Sequence, residues 1–489
     1  MSPLHSSSLA QISELFRAKQ LSPLELLDHQ LTRISTLQPK LNAFVHLDAD
    51  SARAAAKSAT EKLACNEPPG PLHGIPVTVK SCIEVAGLPN PAGSLLRAKE
   101  TPAHSAPIVD RLRAAGAILL GTTNTPEFLM AYETNNRLSG ATSNPWNFAY
   151  SSGGSSGGEA AAIASGCSFG GIGSDGGGSV RVPAHFCGIC GLKPTPGRIP
   201  AAGHFPPSNS SFGWIGVVGP MARTVADLRI LFNALAGPDP GDPFSIPAPI
   251  QQISAKQASE IRIGFLDSSA IGHATPESIE AVTRAAKLLE QSGFYVEPFK
   301  LHDLDRALDL WWFFFGPVIA ELLATQLAAK ESQLSPTLLD YLEAARAEAP
   351  FTMMEFITKC AARDFERARI LKKMADVPVL LSPVSSAPAF RHGEGTWQSR
   401  PVSALSPSSS STSPTSFTTF TSSYRQTMRH SQWLNLAGLP GLSIPISTSS
   451  DGLPIGVQFI GRPFSEELLI SIAESLELAR GPWQPPPLA

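Results

Sequence analysis

The sequence has few of the features that mark secreted, membrane-spanning or nucleic-acid-binding proteins. Only six cysteines occur in 489 residues, and their scattered spacing is unlike a disulfide framework. The net charge is −3 and no basic block is present, so the chain offers no electrostatic footprint for nucleic acid or an anionic membrane. The first residues lack the apolar core of a signal peptide. We therefore expect a reducing, cytoplasmic location.

One apolar stretch, Leu308 to Ala329, is long enough to be considered as a membrane span. Asp309, Glu321 and the Gly316-Pro317 break argue against that interpretation, and no integral membrane segment is predicted. The aromatic centre of the stretch, 311–315, is expected to lie in the core. Two alternatives remain open: a wall of an entrance for apolar or aryl ligands, or loose contact with a membrane surface.

Hydrophobic periodicity predicts strands and helices in alternation. Apolar runs at 75–80 and 117–121 enclose a helical pattern at 108–115, a β-α-β order that favours parallel strands. Ser22 and Glu25 form a capping box around Pro23 and predict a helix start there. The alternation continues with strands at 261–266 and 294–298 and a helix at 276–292, and it ends with strands at 442–446 and 455–460 and a helix at 466–480.

The segment from 150 to 196 is richest in residues suited to chemistry. Two runs of glycine and serine, 153–158 and 173–179, flank an alanine-rich segment at 159–165 that is predicted to be a helix. Loops with so few side chains leave backbone N–H groups unshielded. A row of such donors can hold a developing negative charge on a phosphate or a tetrahedral oxyanion. Serines in these loops are therefore candidate nucleophiles.

Three short motifs in this segment fit poorly. Gly153-x-Ser155-x-Gly157 resembles a hydrolase nucleophile elbow, but the polar residues 147–152 predict no strand before it. The glycines at 171, 173 and 176 match a dinucleotide fingerprint, but Pro183 should interrupt the helix that must follow. Cys187 and Cys190 lack the second cysteine pair of a zinc site, so buried thiols are the expected state.

A longer pattern accounts for the whole segment. GGSSGGEAAAIASG at 153–166, followed by GSDGGGSVRVPAHFCGICGLKPTPGR at 173–198, resembles the amidase signature family. Further matching blocks lie at 74–80, 219–224, 435–440 and 452–461. The resemblance implies one α/β domain across 1–489, with a large mixed, partly parallel, twisted central sheet covered by helices on both faces.

Within that domain we expect four regions. They are an N-terminal helical region at 1–65, a catalytic core at 66–240, a variable substrate-side region at 250–430 and a C-terminal core block at 431–489. The low-complexity run at 403–423 is expected to be a loop, either a lid or an idle surface segment.

The resemblance also implies a catalytic set. Lys80 corresponds to the family's base, Ser155 to its bridging serine and Ser179 to its nucleophile, and the 24-residue spacing between the serines agrees with the family pattern. The family holds the bond before the bridging serine cis, so a cis Gly154-Ser155 bond is expected. The oxyanion hole would be formed by backbone N–H groups, those of Gly176, Gly177, Gly178 and Ser179.

Other positions are implied as substrate contacts or loop supports. The acyl group would lie against Leu129, Met130, Ala131, Tyr132 and Gly154. For Leu129 and Met130 a plain core role is an equal alternative. Asp175 and Arg181 are expected to form an ion pair that shapes the loop.

The chemistry of these residue types is consistent with this assignment. An isolated serine hydroxyl is a poor nucleophile and must transfer its proton to a base. A lysine amine can accept the proton through Ser155 if burial lowers the lysine pKa from about 10.4 toward 7. The apolar strand that ends at Lys80 is suited to that. Ser155 would then return the proton to the leaving nitrogen.

The sequence thus predicts a serine amidase for small apolar or aryl amides. Carbamates (urethanes) and esters are further candidate substrates, and no metal or organic cofactor is expected. The alternative is the glutamine-hydrolysing amidase subunit of a tRNA-dependent amidotransferase. Val182, found where that subunit usually has Gln, argues against the alternative, as does the aromatic cluster. A homodimer remains open, and no nucleic-acid partner is expected for the amidase itself.

Overall fold

The computed structural model describes residues 4–65, 69–207, 211–266, 274–301, 303–398 and 423–488. The strands of the described residues are β1 Phe44–Leu47, β2 Pro76–Lys80, β3 Ile118–Thr123, β4 Ser143–Asn144, β5 Asn147–Ser151, β6 Gly170–Asp175, β7 Cys190–Lys193, β8 Val217–Ala222, β9 Arg262–Leu266, β10 Tyr295–Phe299, β11 Val379–Pro383, β12 Gly441–Thr448 and β13 Pro454–Gly461. Eleven of them form a central mixed sheet with the strand order β1-β3-β2-β6-β8-β7-β12-β13-β11-β9-β10.

Helices flank this sheet. They are α1 Leu9–Arg17, α2 Pro23–Leu41, α3 Ala49–Ala64, α4 Pro107–Ala114, α5 Gly157–Ala164, α6 Arg181–Cys187, α7 Val225–Leu235, α8 Ala255–Ser259, α9 Pro276–Gln291, α10 Leu304–Phe313, α11 Ile319–Leu327, α12 Pro336–Arg346, α13 Met353–Lys373, α14 Tyr424–Thr427, α15 Arg429–Leu436 and α16 Glu466–Arg480. The predicted α/β class and mixed sheet are confirmed. The capping box predicted at Ser22 is also present and starts α2.

The sheet is parallel where the site is built. β2 runs parallel to both β3 and β6. In the other half of the sheet, β9 runs parallel to β10. β6 pairs antiparallel with β8, and β12 pairs antiparallel with β13. Every residue of β2 and β6 is buried, which fits strands covered on both faces. The carboxyl ends of β2 and β6 therefore lie side by side at one edge of a buried parallel pair.

Two local predictions were wrong. Residues 147–151, where no strand was expected, do form a strand, β5. They include Phe148 and Tyr150, aromatic residues that favour strands, and they pair antiparallel with β4. β5 belongs to a separate two-stranded sheet, so it does not supply the central strand that a nucleophile elbow needs. Pro183 does not interrupt a helix, since α6 begins at Arg181 and a proline in the first turn forfeits no helical hydrogen bond.

The apolar stretch forms one continuous helical segment, Leu304–Leu327, in which a π-helical turn at Phe314–Val318 joins α10 to α11. Its length and hydropathy would suffice to cross a membrane, but 67% of its most apolar window is buried inside the molecule. Trp311, Trp312 and Phe314 are almost completely buried, which confirms the predicted core position. The predicted 403–423 loop lies outside the described residues except for Ser423.

Candidate active site

The parallel arrangement of β2 and β6 brings the two halves of the site together. Lys80 is the last residue of β2, and the loop 176–179 follows directly from the last residue of β6. Since parallel strands end at the same edge of a sheet, Lys80 and this loop share one edge. The N-terminus of α5 adds Ser155 and Ser156 from a third direction. Three separate parts of the sequence therefore meet at one point.

Lys80 is fully buried and contacts two hydroxyl groups. Its Nζ lies 2.6 Å from Ser155 Oγ and 3.0 Å from Ser174 Oγ. Burial lowers the pKa of Lys80 to about 8, although Cys82, Asp175 and Glu159 each partly offset that effect. An amine with this pKa is uncharged in about one molecule in ten at pH 7 and in about half of the molecules at pH 8. Lys80 therefore has the contact and the basicity that a proton acceptor needs.

A main-chain hydrogen bond ties Ser179 to Ser156, the residue that follows Ser155. The N–H of Ser156 donates to Ser179 O at 3.1 Å, which ties the two serine loops together. Ser179 is 8% exposed, whereas Ser155 is 1% exposed. Within the described residues, the Ser179 hydroxyl forms no hydrogen bond with Ser155. Of the two side-chain contacts in the predicted catalytic set, the one between Lys80 and Ser155 is formed. The Gly154-Ser155 bond is cis, as predicted.

The loop between β6 and Ser179 is held by two aromatic side chains. Trp311 Nε1 donates to Gly176 O at 2.8 Å, and the Tyr132 hydroxyl donates to Gly177 O at 2.6 Å. The C=O and N–H of a trans peptide point in opposite directions, so fixing Gly176 O also fixes the N–H of Gly177 on the other side. Trp311 and Tyr132 therefore orient the peptide groups of the predicted oxyanion hole.

One predicted oxyanion donor needs correction. Gly178 N–H donates to Asp175 Oδ1 at 2.7 Å, so it is already engaged. The cause is the same peptide geometry: the Gly177 carbonyl points toward Tyr132, which directs the next N–H toward Asp175. In the described part of the chain, the N–H groups of Gly176, Gly177 and Ser179 have no protein acceptor. These three remain the candidate donors.

A buried network of charged and polar side chains holds the loop 176–179 in place. Arg181 Nη2 lies 3.0 Å from Asp175 Oδ1, and both side chains are fully buried, so the predicted ion pair is confirmed. Although burial alone would raise it, the pKa of Asp175 is held well below its usual range by Arg181. Asn435 Nδ2 donates to Asp175 Oδ1 at 3.0 Å, and Arg181 also donates to Gln458 Oε1 at 2.8 Å. Helix α15 and strand β13 near the C-terminus thus stabilise a loop far away in sequence.

The predicted acyl-pocket residues are placed near the loop but are deeply buried. Leu129, Met130, Ala131 and Tyr132 are each at most 6% exposed. Gly154 packs against this segment so closely that an added Cβ would lie 2.7 Å from Ala131 O. Tyr132 acts on the loop through its hydroxyl, a role that the prediction did not include. Contact of the other residues with an acyl group stays a prediction.

Glu159 lies next to the site. The sequence pattern predicts only that this residue belongs to a helix, not that it is near Lys80. It projects from α5 under the sheet and accepts hydrogen bonds from Thr78 on β2 and Thr123 on β3, the latter at 2.7 Å. Burial raises its pKa to about 7, against the lowering effect of these hydrogen bonds and of Lys80. Thr78 and Lys80 share one face of β2, which places this acid next to the candidate base.

The two cysteines of the Cys187-x-x-Cys190 motif have the character of core residues. Cys187 and Cys190 are completely buried, and burial raises the pKa of both thiols, as predicted for inert core cysteines. In the six described ranges, no group of three or more His, Cys, Asp or Glu side chains could hold a metal ion.

Comparison with known proteins agrees with this architecture. The Amidase family profile matches residues 25–470. One subunit of the glutamyl-tRNA(Gln) amidotransferase from Roseiflexus castenholzii is 33% identical over 505 aligned residues, covering 98% of this chain and 96% of that protein. The chain therefore belongs to the amidase family.

Solved structures extend the likeness. The structure is similar to a chain of a vestigial protein complex that reveals the evolutionary origins of an s-triazine catabolic enzyme, with a TM-score of 0.85 and 28% sequence identity. The alignment covers 98% of this chain and 100% of that one. It is also similar to a bacterial aryl acylamidase of the amidase signature family, with a TM-score of 0.83 and 25% sequence identity. That alignment covers 99% of this chain and 98% of the acylamidase. This chain thus has the amidase-signature fold, and its family acts on C–N bonds. The likeness to the amidotransferase favours the alternative function more than the aryl-amide prediction.

Proposed function

We propose that this protein hydrolyses a non-peptide amide through an acyl-enzyme on Ser179. The Ser179 hydroxyl attacks the carbonyl carbon while its proton passes to Ser155, which passes its own proton to Lys80. The return of a proton through Ser155 to the nitrogen lets the amine leave, since an amide anion is a poor leaving group. Water then attacks the ester and restores Ser179.

The observation that carries this proposal is the contact between Lys80 and Ser155. A lysine with no exposed surface, 2.6 Å from a buried serine hydroxyl, has no solvent to stabilise its charge. A purely structural lysine would more often be paired with a carboxylate, because a buried unpaired charge is costly. A lysine whose pKa is lowered by burial and whose amine contacts a hydroxyl suits proton transfer instead.

The loop that precedes Ser179 supplies the second element of the proposal. The N–H groups of Gly177 and Ser179 would donate to the oxyanion as it forms on the carbonyl oxygen. The hydrogen bond from Trp311 to Gly176 O fixes the direction of the Gly177 N–H before substrate binds. Tyr132 holds the next peptide group, whose N–H is engaged by Asp175. Removal of one such donor from an oxyanion hole typically costs about 3 kcal/mol of transition-state stabilisation. Preorganisation of the loop is therefore a major part of the expected rate.

Two substrate classes fit this chemistry. The first is the side-chain amide of glutamine, consumed as an ammonia source within an amidotransferase, and the amidotransferase relative supports this class over nearly the whole chain. The second is an aryl or apolar amide, with carbamates and esters as related acyl donors. The likeness to the bacterial aryl acylamidase, which covers 99% of this chain, supports the second class.

The test combines a mechanism probe with a substrate panel. Ser179→Ala should abolish hydrolysis of every substrate and prevent labelling by a fluorophosphonate, while Ser165→Ala, a buried serine at the end of α5, should retain both. Full activity of Ser179→Ala would refute the mechanism. Glutamine, anilides, carbamates and esters should then be compared by kcat/KM. Ammonia release from glutamine that rises with a co-purified partner protein selects the first class, and preferential cleavage of anilides by the isolated chain selects the second.

A further inference from the structure

Helix α13 presents apolar side chains to solvent from Met353 to Ala368. Met353, Met354, Ile357 and Phe365 are between 55% and 74% exposed. Isolated exposed apolar residues are ordinary on protein surfaces, but four large ones on a single helix form a contiguous patch. Ala361 and Ala368 are exposed on the same side. We call this surface, formed by 353, 354, 357, 361, 365 and 368, the α13 face.

The other side of α13 carries much of the helix's charge. Arg363 stacks on Trp214 with 5.2 Å between the guanidinium carbon and the ring centroid, and Lys359 lies 5.6 Å from the centroid of Phe313. Glu366 is buried and paired with Arg369. A surface helix normally turns its charges outward and its apolar stripe inward. α13 inverts much of this pattern, so its solvent side has the composition of an interface.

The spacing of the α13 face matches that of a helix-pairing seam. Met354, Ala361 and Ala368 recur at intervals of seven residues, and Ile357 and Phe365 lie three and four residues after the first two of them. At 100° per residue these side chains lie within a narrow sector of the helix surface. A seven-residue apolar repeat is the pattern that packs one helix against another. The expected occupant is therefore a second helix.

We propose that the α13 face is the contact surface of a homodimer in which two copies of α13 pack antiparallel across a two-fold axis at Ala361. In that arrangement residues equally far from Ala361 meet at the same level. Met354 meets Ala368 of the second copy, and Ile357 meets Phe365. Large side chains thus face small ones near the helix ends, and the two small Ala361 side chains let the helices approach closely at the axis.

The alternatives fit the α13 face less well. A parallel pair would bring Asp364 against its own copy and would crowd two Phe365 rings together while the alanines faced each other. A membrane-surface helix would flank its apolar face with Lys and Arg. Here Lys359 and Arg363 contact Phe313 and Trp214, and Arg369 pairs with the buried Glu366. The exposed Lys372 and Lys373 lie at the end of the helix, beyond Ala368, and do not flank the apolar face. An antiparallel self-pair avoids both conflicts.

The expected interface is modest in size. A helix of 21 residues is about 30 Å long. We therefore expect a contact at the low end of the range, below about 1,200 Å² in total, and a dimer that dissociates on dilution.

The first experiment is sedimentation velocity of the full chain over a wide concentration range. The wild type should shift from monomer to dimer as concentration rises. The double variant Ile357→Lys/Phe365→Lys should remain monomeric, with unchanged thermal melting because both positions are exposed. Leu478→Lys is the matched control, since Leu478 is 84% exposed on a different helix. That variant should dimerise like the wild type.

The second experiment tests the register without destabilising the fold. In a background with Cys65→Ser and Cys360→Ser, Ala361→Cys should form an intermolecular disulfide under mild oxidation, because the two-fold axis brings the Cα atoms within about 7 Å. Ala368→Cys is the control. It is also exposed, but its copy would lie about 20 Å away along the helix axis, so it should not cross-link to itself.

Four results would overturn the proposal. A wild type that is monomeric at every concentration excludes the dimer, and a dimer that survives the double lysine substitution assigns the contact to another surface. Cross-linking of Ala368→Cys as readily as Ala361→Cys indicates a parallel pair. Flotation of monomeric wild type with anionic phosphatidylserine vesicles, lost in the double lysine variant, would identify a membrane as the occupant instead.

Discussion

Lys80 Nζ lies 2.6 Å from Ser155 Oγ, and neither side chain has more than 1% of its surface exposed. The proton acceptor in the proposed relay is thus isolated from solvent, and its charge state depends on the groups packed around it. These are Cys82 on the segment after β2, Asp175 at the end of β6 and Glu159 on α5. The pH dependence of the reaction should report this environment.

We expect kcat/KM to rise with pH and to level off above about pH 8. Burial lowers the pKa of Lys80 to about 8, and only the uncharged amine can accept the proton from Ser155. Below this pH the protonated fraction increases, so the rate should fall about tenfold per pH unit well below the midpoint. The measurement is a kcat/KM profile from neutral to alkaline pH. A rate that falls as pH rises through 8 would contradict the role of Lys80.

Replacement of Glu159 by Gln should move the midpoint of that profile to lower pH. Near pH 8 most Glu159 side chains are ionised, because burial raises the pKa of this carboxyl only to about 7. Its negative charge favours the protonated form of Lys80, so removing it should lower the lysine pKa further.

Glu477→Gln is the matched control for this prediction. Glu477 is also substantially buried, with its pKa raised to about 7, but it lies on α16, where it accepts the N–H of Val225. Its removal should leave the midpoint unchanged. Equal shifts in the two variants would show that the effect is not local to Lys80.

Trp311→Phe should lower kcat about fivefold with little change in KM. The substitution keeps a ring in the cluster but removes the donor to Gly176 O, a hydrogen bond of ordinary strength worth about 1 kcal/mol. A looser loop should affect the transition state more than substrate binding.

The adjacent Trp312 provides the control for Trp311→Phe. Its Nε1 donates to Glu348 Oε1 at 2.9 Å and does not contact the loop. Trp312→Phe should therefore leave kcat near the wild-type value. If Trp312→Phe lowered kcat as much as Trp311→Phe, general disturbance of the aromatic cluster would explain both results.

Much of the fold could be predicted from local sequence patterns. The helix predicted at 466–480 has those bounds, and the strand at 75–80 differs from β2 by one residue. These elements have strong periodicity and clear boundary residues. The positions of Lys80 and Ser155 followed from several motifs taken together, and the structure brings these two residues into contact. Local pattern and tertiary packing agree at these places.

The supports of the site could not be predicted in the same way. Trp311 is 135 residues from Gly176, and Asn435 is 260 residues from Asp175, so no periodicity connects the partners. The engagement of Gly178 N–H depends on the direction of a single peptide group, which sequence does not specify. β5 has no β-branched residue, and it formed because pairing with β4 satisfied its backbone. Each of these features is decided by tertiary contacts.

Arg181→Met should lower the free energy of unfolding by about 3 to 5 kcal/mol, since it leaves the Asp175 carboxylate buried without its partner. The control is Arg229→Met, which breaks the half-exposed pair with Glu474 and should cost no more than about 1 kcal/mol. Urea unfolding at neutral pH measures both values.

A double variant separates the charge effect from simple loss of packing. Adding Asp175→Asn to Arg181→Met removes the unpaired carboxylate, so the double variant should be more stable than Arg181→Met alone. Activity should not recover with it, because the neutral amide would be a weaker acceptor for the N–H of Gly178 and the loop before Ser179 would lose its fixed geometry. If the double variant were less stable than Arg181→Met, the carboxylate itself would be stabilising the loop without its ionic partner.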